Sequence, residues 1–125
     1  MKGRGNEKYD YRRLSDHDWG RVKAAYYGMI SLVDHHIGRV LKALKDKGIE
    51  DETLILFTSD HGELLGDHGL LFKGPFHYDC LIKAPMILQW SGTVPKGSRY
   101  TQITEHVAIM PPLLDLAGVA VPYSV

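Results

Sequence analysis

Alternating helical and extended patterning assigns this chain to the α/β class, as a helix–strand–loop–strand–helix slice of a sheet covered by helices. The first sign is an apolar stripe at helical spacing: Val22, Ala25/Tyr26, Met29/Ile30, Val33, Ile37, Val40/Leu41 and Leu44. The second is a pair of short uncharged runs, Leu54-Ile55-Leu56-Phe57 and Met86-Ile87-Leu88, each flanked by turn-forming residues. The third is another helical stretch, Val107 to Ala117, with Gly118 placed to end it.

In chain order, residues 1–20 form a polar N-terminal segment and residues 21–125 carry the patterned domain. Ser15-Asp16-His17-Asp18 has the form of a capping box that opens the first helix. Lys42, Lys45 and Lys47 near its end suit the helix dipole, and Gly48 is a natural stop. Glu50-Asp51-Glu52 then turns the chain into a strand over Thr53–Thr58, which reads as buried because it carries no charge. Pro85 to Trp90 reads as the second strand, with the proline tolerated at its start. Ser91 to Gly97 is a loop by composition, and a short element is expected near Gln102–Thr104. The last helix is expected to hold its prolines in the first turns.

Composition narrows the partners. Fifteen basic residues balance fifteen acidic ones, so no general attraction to nucleic acid or to an anionic membrane is implied. No apolar run approaches the roughly 20 residues of a spanning helix, and the charged start of the chain has no apolar signal core. A single cysteine, Cys80, excludes an internal disulfide framework.

The chemistry concentrates between Thr58 and Lys73, in T-S-D-H-G-E-L-L-G-D-H-G-L-L-F-K. Asp60 and His61 stand just past the expected strand, where open α/β sheets place their ligands. Gly62, Gly66 and Gly69 let the backbone turn back over that point. A carboxylate beside an imidazole can hold a divalent cation, and a nearby lysine such as Lys73 can hold a tetrahedral oxyanion. Taken as a dipeptide alone, Asp60-His61 fits better with an ordinary turn in which the aspartate caps backbone amides. Lys73 alone reads as a surface lysine.

With its surroundings, S-D-H-G-E-x-L-G-D-H-G-L-x-F-K-G-P resembles the metal-and-lysine motif of the sulfatases, members of the alkaline phosphatase superfamily. The likeness extends to Tyr26–Gly48, similar to the long helix before that motif, and to Ala84–Gly97 and Pro112–Gly118, similar to the following strand and helix. It implies a partial alkaline phosphatase-like sheet, a sulfuric ester hydrolase as the parent protein, and a sulfate ester as substrate. It also implies that Asp60 and His61 supply two ligands to a divalent metal and that Lys73 binds sulfate oxygens. Ca²⁺ is the expected metal, while the imidazole admits Mn²⁺ or Zn²⁺. An ammonium about 4 Å from a unit charge contributes about 4 kcal/mol at an effective dielectric near 20, before desolvation.

Two readings stay open for His68, in the second Gly-Asp-His-Gly: it lines the pocket and meets the substrate or leaving group, or it braces the loop with Asp67 as partner. Glu63, His77 and Tyr78 read as loop or structural residues. His35 and His36 point about 100° apart on a helix and cannot easily face one metal. The family's paired aspartates and its C-x-P-S-R or C-x-A-S-R nucleophile motif do not occur here, and Y-D-C-L-I-K around Cys80 does not replace the latter. The chain is therefore expected to be an internal piece of a larger enzyme, inactive alone, that self-associates through exposed sheet edges. The alternatives are part of a phosphonate or phosphodiester hydrolase of the same superfamily, or a noncatalytic assembly domain.

Overall fold

The computed structural model describes residues 11–122. The first ten residues of the polar segment expected over 1–20, and the last three of the domain expected over 21–125, lie outside the described residues. The chain divides after Val94 into two units.

The first unit opens with a 3₁₀ turn, Tyr11–Arg13, and then the helix α1, Asp16–Asp46. The helix starts where the capping box puts it. Ser15 Oγ accepts from the Asp18 amide at 3.2 Å, while the Ser15 amide and hydroxyl both donate to the Asp18 carboxylate. It ends at Gly48, which takes φ +69 so that its amide and that of Ile49 can return to the carbonyls of Lys45 and Leu44. No residue of α1 is buried, and its stripe is open at Met29, Ile30, Val33 and Val40. His35 and His36 are exposed with rings edge-on, and His36 Nδ1 lies 3.1 Å from the Arg39 guanidinium.

Strand β1 covers Ile55–Thr58, two residues shorter than expected at its start. Thr53 is held in the preceding turn by its hydroxyl, which donates to the Ile49 carbonyl at 2.7 Å. A four-residue helix, α2 (Asp79–Ile82), precedes β2 (Met86–Gln89). The strands pair antiparallel, Ile55 opposite Gln89 and Thr58 opposite Met86. The expectation of a buried β1 is not met: it is half-buried with Phe57 exposed, and all of β2 is exposed, because no described element covers the pair. Among the described residues the buried hydrophobic side chains are Leu64 and Leu81, which lie in the loop after β1 and in α2. What core there is therefore sits under that loop.

The second unit, from Pro95, has a 3₁₀ turn at His106–Ala108 and the helix α3, Met110–Leu116. No regular element forms near Gln102–Thr104. α3 starts later than Val107 because Pro111 and Pro112 have no amide hydrogen to give and fit only the first positions of a helix. Gly118, at φ +70, closes it as expected. Helices together with a small antiparallel strand pair are consistent with part of an α/β domain. No helix among the described residues is long and apolar enough to cross a membrane.

Candidate functional site

Asp60 and His61 follow β1 directly, so the strand fixes where their turn begins. Asp60 Oδ1 accepts the His61 amide at 3.0 Å, and Oδ2 stands 3.5 Å from His61 Nε2. Asp60 Oδ1 thus caps the turn, as its dipeptide reading expects. His61 Nδ1 lies 2.7 Å from the Gly62 carbonyl. A carbonyl only accepts, so Nδ1 carries the hydrogen and a neutral ring keeps its lone pair on Nε2. Metal-bound imidazoles are commonly tied in this way by a carbonyl behind the ring. The 3.5 Å between Oδ2 and Nε2 suits two neighbouring ligands of one cation, each about 2.3–2.6 Å from it. Among the described residues no group of three or more His, Cys, Asp or Glu gathers into a metal-holding cluster.

The turn is anchored from behind. The Gly62 amide donates to the Leu81 carbonyl at 2.7 Å, and Ser59 Oγ donates to the His61 carbonyl at 2.8 Å. From Gly62 the chain loops out and closes on itself: the Leu64 amide reaches the Phe72 carbonyl at 3.0 Å and the Gly66 amide that of Leu70 at 2.8 Å. Lys73, one residue beyond that closure, is thereby brought back beside the start of the loop. Its side chain is exposed and makes no hydrogen bond or ion pair with Asp60 or His61. Glu63 accepts the Leu65 amide at 3.3 Å and acts as a loop residue. On the outer side, Gly66 packs against the indole of Trp19 in the first turn of α1, and Tyr11 meets Phe72 edge-on at 6.0 Å.

Backbone strain collects in this loop. Leu65, His68 and Phe72 are the described non-glycine residues with positive φ, at 43, 57 and 66°. Such strain persists only where the surroundings enforce it, and it clusters at functional sites. His68, inside the 3₁₀ turn Asp67–Gly69, is stacked on Tyr78 with ring centroids 3.8 Å apart and planes 20° apart. An aromatic pair contributes about 0.5–1.5 kcal/mol, close to the roughly 1–2 kcal/mol cost of a left-handed residue. Desolvation, then the charge and hydrogen bond of Asp67, push the Cys80 thiol above its ordinary pKa. The contact observed for His68 is the Tyr78 stack, which the residues themselves give little cue for.

β1 thus runs into a carboxylate–imidazole pair, and a strained, glycine-bearing loop carries the chain on to Lys73. The sulfatase family profile matches residues 2–119, and the chain belongs to that family. It is 42% identical over 108 residues to an arylsulfatase of Clostridium perfringens, covering 84% of this chain and 22% of the relative. It is 34% identical over 113 residues to a choline-sulfatase of Rhizobium meliloti, covering 89% and 22%. It is also 34% identical over 110 residues to the multifunctional alkaline phosphatase superfamily protein PehA of Trinickia caryophylli, covering 87% and 21%. The chain thus spans about a fifth of the length of these curated relatives. No solved structure matches it.

Proposed function

We propose that this chain supplies one part of the active site of a sulfuric ester hydrolase: two metal ligands, Asp60 and His61, and a sulfate-binding cation, Lys73. The observation that carries the reading is the pairing of Asp60 Oδ2 with His61 Nε2 at 3.5 Å, with Nδ1 tied to the Gly62 carbonyl. Ca²⁺ is the proposed metal, with Mn²⁺ or Zn²⁺ as alternatives that tolerate the imidazole. When bound, such an ion offsets negative charge on the ester's sulfate oxygens. Lys73 adds a second positive charge from the returning arm of the loop. Its help is catalytic to the extent that it grows as charge shifts towards the leaving oxygen. His68 is proposed to meet that oxygen. The nucleophile and the remaining metal ligands come from residues outside this chain, so the chain alone is proposed to be inactive.

The test is metal titration of the full-length enzyme that contains this segment, using 4-nitrophenyl sulfate as substrate. Asp60→Ala is expected to abolish metal-dependent turnover, because losing a ligand should exceed the roughly 10–100-fold cost of losing a supporting hydrogen bond. Unchanged activity would remove Asp60 from the site. Saturable sulfate release by the purified 125-residue chain alone would overturn the proposed division of labour.

A second reading, that the parent acts on phosphonate or phosphodiester bonds, draws on the similarity to a relative named as a multifunctional member of the alkaline phosphatase superfamily. Parallel assays with 4-nitrophenyl sulfate and bis(4-nitrophenyl) phosphate separate the two. The open stripe of α1 and the exposed β2 support self-association of the isolated chain, which sedimentation measures directly.

A further inference from the structure

We infer that Ser59 is a positioning residue for His61: its hydroxyl pins the peptide plane beside the imidazole and so sets how Nε2 meets the ion. The inference rests on the metal-binding reading above and adds to it a residue that acts through the backbone.

The peptide joining His61 to Gly62 is held at both ends. Its carbonyl accepts the Ser59 hydroxyl at 2.8 Å, and its amide donates to the Leu81 carbonyl at 2.7 Å. A planar unit gripped on opposite edges cannot rotate without breaking one of those bonds. On the other side of His61, its amide donates to Asp60 Oδ1 at 3.0 Å. Just beyond the pinned plane, the Gly62 carbonyl takes the Nδ1 hydrogen at 2.7 Å. The direction of the ring therefore follows from the direction of this one peptide, and it brings Nε2 to 3.5 Å from Asp60 Oδ2.

Both grips come from anchored residues. Ser59 is half-buried and directly follows Thr58, which the ladder pairs with Met86. Leu81 is buried, and its amide donates to the Tyr78 carbonyl at 2.8 Å. The two grips differ in what they ask of the sequence. Any residue at position 81 has a backbone carbonyl to offer, whereas the grip at position 59 needs a short side chain with a hydroxyl.

Without that hydroxyl the plane turns about its tie to Leu81, and the Gly62 carbonyl moves off Nδ1. The imidazole then loses both its fixed direction and the bond that keeps its lone pair on Nε2. A metal ligand whose supporting hydrogen bond is lost must be ordered by the ion itself, which lowers affinity. Ser59 thus acts on the ion only through His61.

The experiment uses the full-length enzyme that contains this segment, freed of metal by chelation and titrated calorimetrically with Ca²⁺ and, in parallel, with Mn²⁺. Ser59→Ala is expected to raise the Kd of the bound ion by about 10–100-fold, the range for a lost bond behind a ligand. Ser59→Thr keeps the hydroxyl and should bring the Kd back close to that of the parent. In the His61→Ala background, Ser59→Ala should add nothing further. The metal-free Ser59→Ala protein should unfold within about 4 °C of the parent, which separates a misplaced ligand from a loosened fold. Should Ser59→Ala fail to fold, Ser59→Val, the isostere of the threonine variant without its hydroxyl, carries the same expectations. An unchanged Kd, no recovery with Ser59→Thr, a loss additive with His61→Ala, or a far lower metal-free unfolding temperature would each overturn the inference, while a raised Kd for His61→Ala alone keeps the metal-binding reading. A parent that binds neither ion, or His61→Ala binding as tightly as its parent, would overturn the reading and the inference together.

Discussion

The carbonyl oxygen of Leu81 accepts the amide of Gly62 at 2.7 Å, which seats the residue after His61 directly against α2. The approach leaves no room for a side chain. A Cβ on Gly62 would stand 1.8 Å from the Cys80 carbonyl oxygen and 2.8 Å from its carbon. Those are backbone atoms, so they cannot swing aside as a flexible side chain can. Gly62→Ala is expected to cost about 3 kcal/mol, the upper end of typical overpacking, and to displace the Asp60-His61 turn. Thermal unfolding of the full-length protein checks the first effect and metal titration the second. A variant as stable and as metal-responsive as its parent would mean that this contact is not what positions the turn.

Much of this arrangement was legible because its causes are local. The start of α1 follows from Ser15 and Asp18 lying three residues apart, and its end from a glycine free to adopt positive φ. Asp60 and His61 come together because they are neighbours at a strand end, so no long-range packing had to be foreseen. The misses have non-local or competing causes. β1 starts late because the turn before it holds Thr53, whose amide donates to the Glu50 carbonyl and whose hydroxyl donates to the Ile49 carbonyl. The α3 boundary shifts because two consecutive prolines outweigh apolar periodicity. The partners of His68 and Asp67, Tyr78 and Cys80, lie ten and thirteen residues along a loop with no repeating pattern to predict them. The expected burial of β1 assumed a covering layer that no described element provides.

Cys80 gives an accessible readout of that loop. Its thiol is raised above the ordinary range, first by desolvation and then by the charge and hydrogen bond of Asp67. A raised pKa means less thiolate at a given pH, so alkylation by iodoacetamide should be slower than for a free cysteine at pH 8. Asp67→Asn removes the negative charge and should speed the reaction, while the remaining desolvation keeps it below the free-thiol rate. The chain has one cysteine, so the rate against pH reports this site without interference. A rate for Asp67→Asn equal to or below that of the parent would place Asp67 away from the thiol.

The capping box makes the long helix sensitive to acid. The Ser15 hydroxyl, then its amide, donate to the Asp18 carboxylate and hold that group below its usual pKa, with His17 and Arg21 adding to the effect. A carboxyl that binds its proton less tightly when folded stabilises the folded form above its unfolded pKa, about 3.9. That contribution is lost as pH falls further, through the lowered folded value. Circular dichroism at 222 nm from pH 7 to pH 2 should therefore show helix content declining below about pH 4. Asp18→Asn removes the titrating group and should flatten that part of the decline, whereas Ser15→Ala should lower helicity already at neutral pH, by the loss of a cap contributing about 1 kcal/mol. If Asp18→Asn titrates like the parent, the acid sensitivity resides in other carboxylates and the box is only a structural start signal.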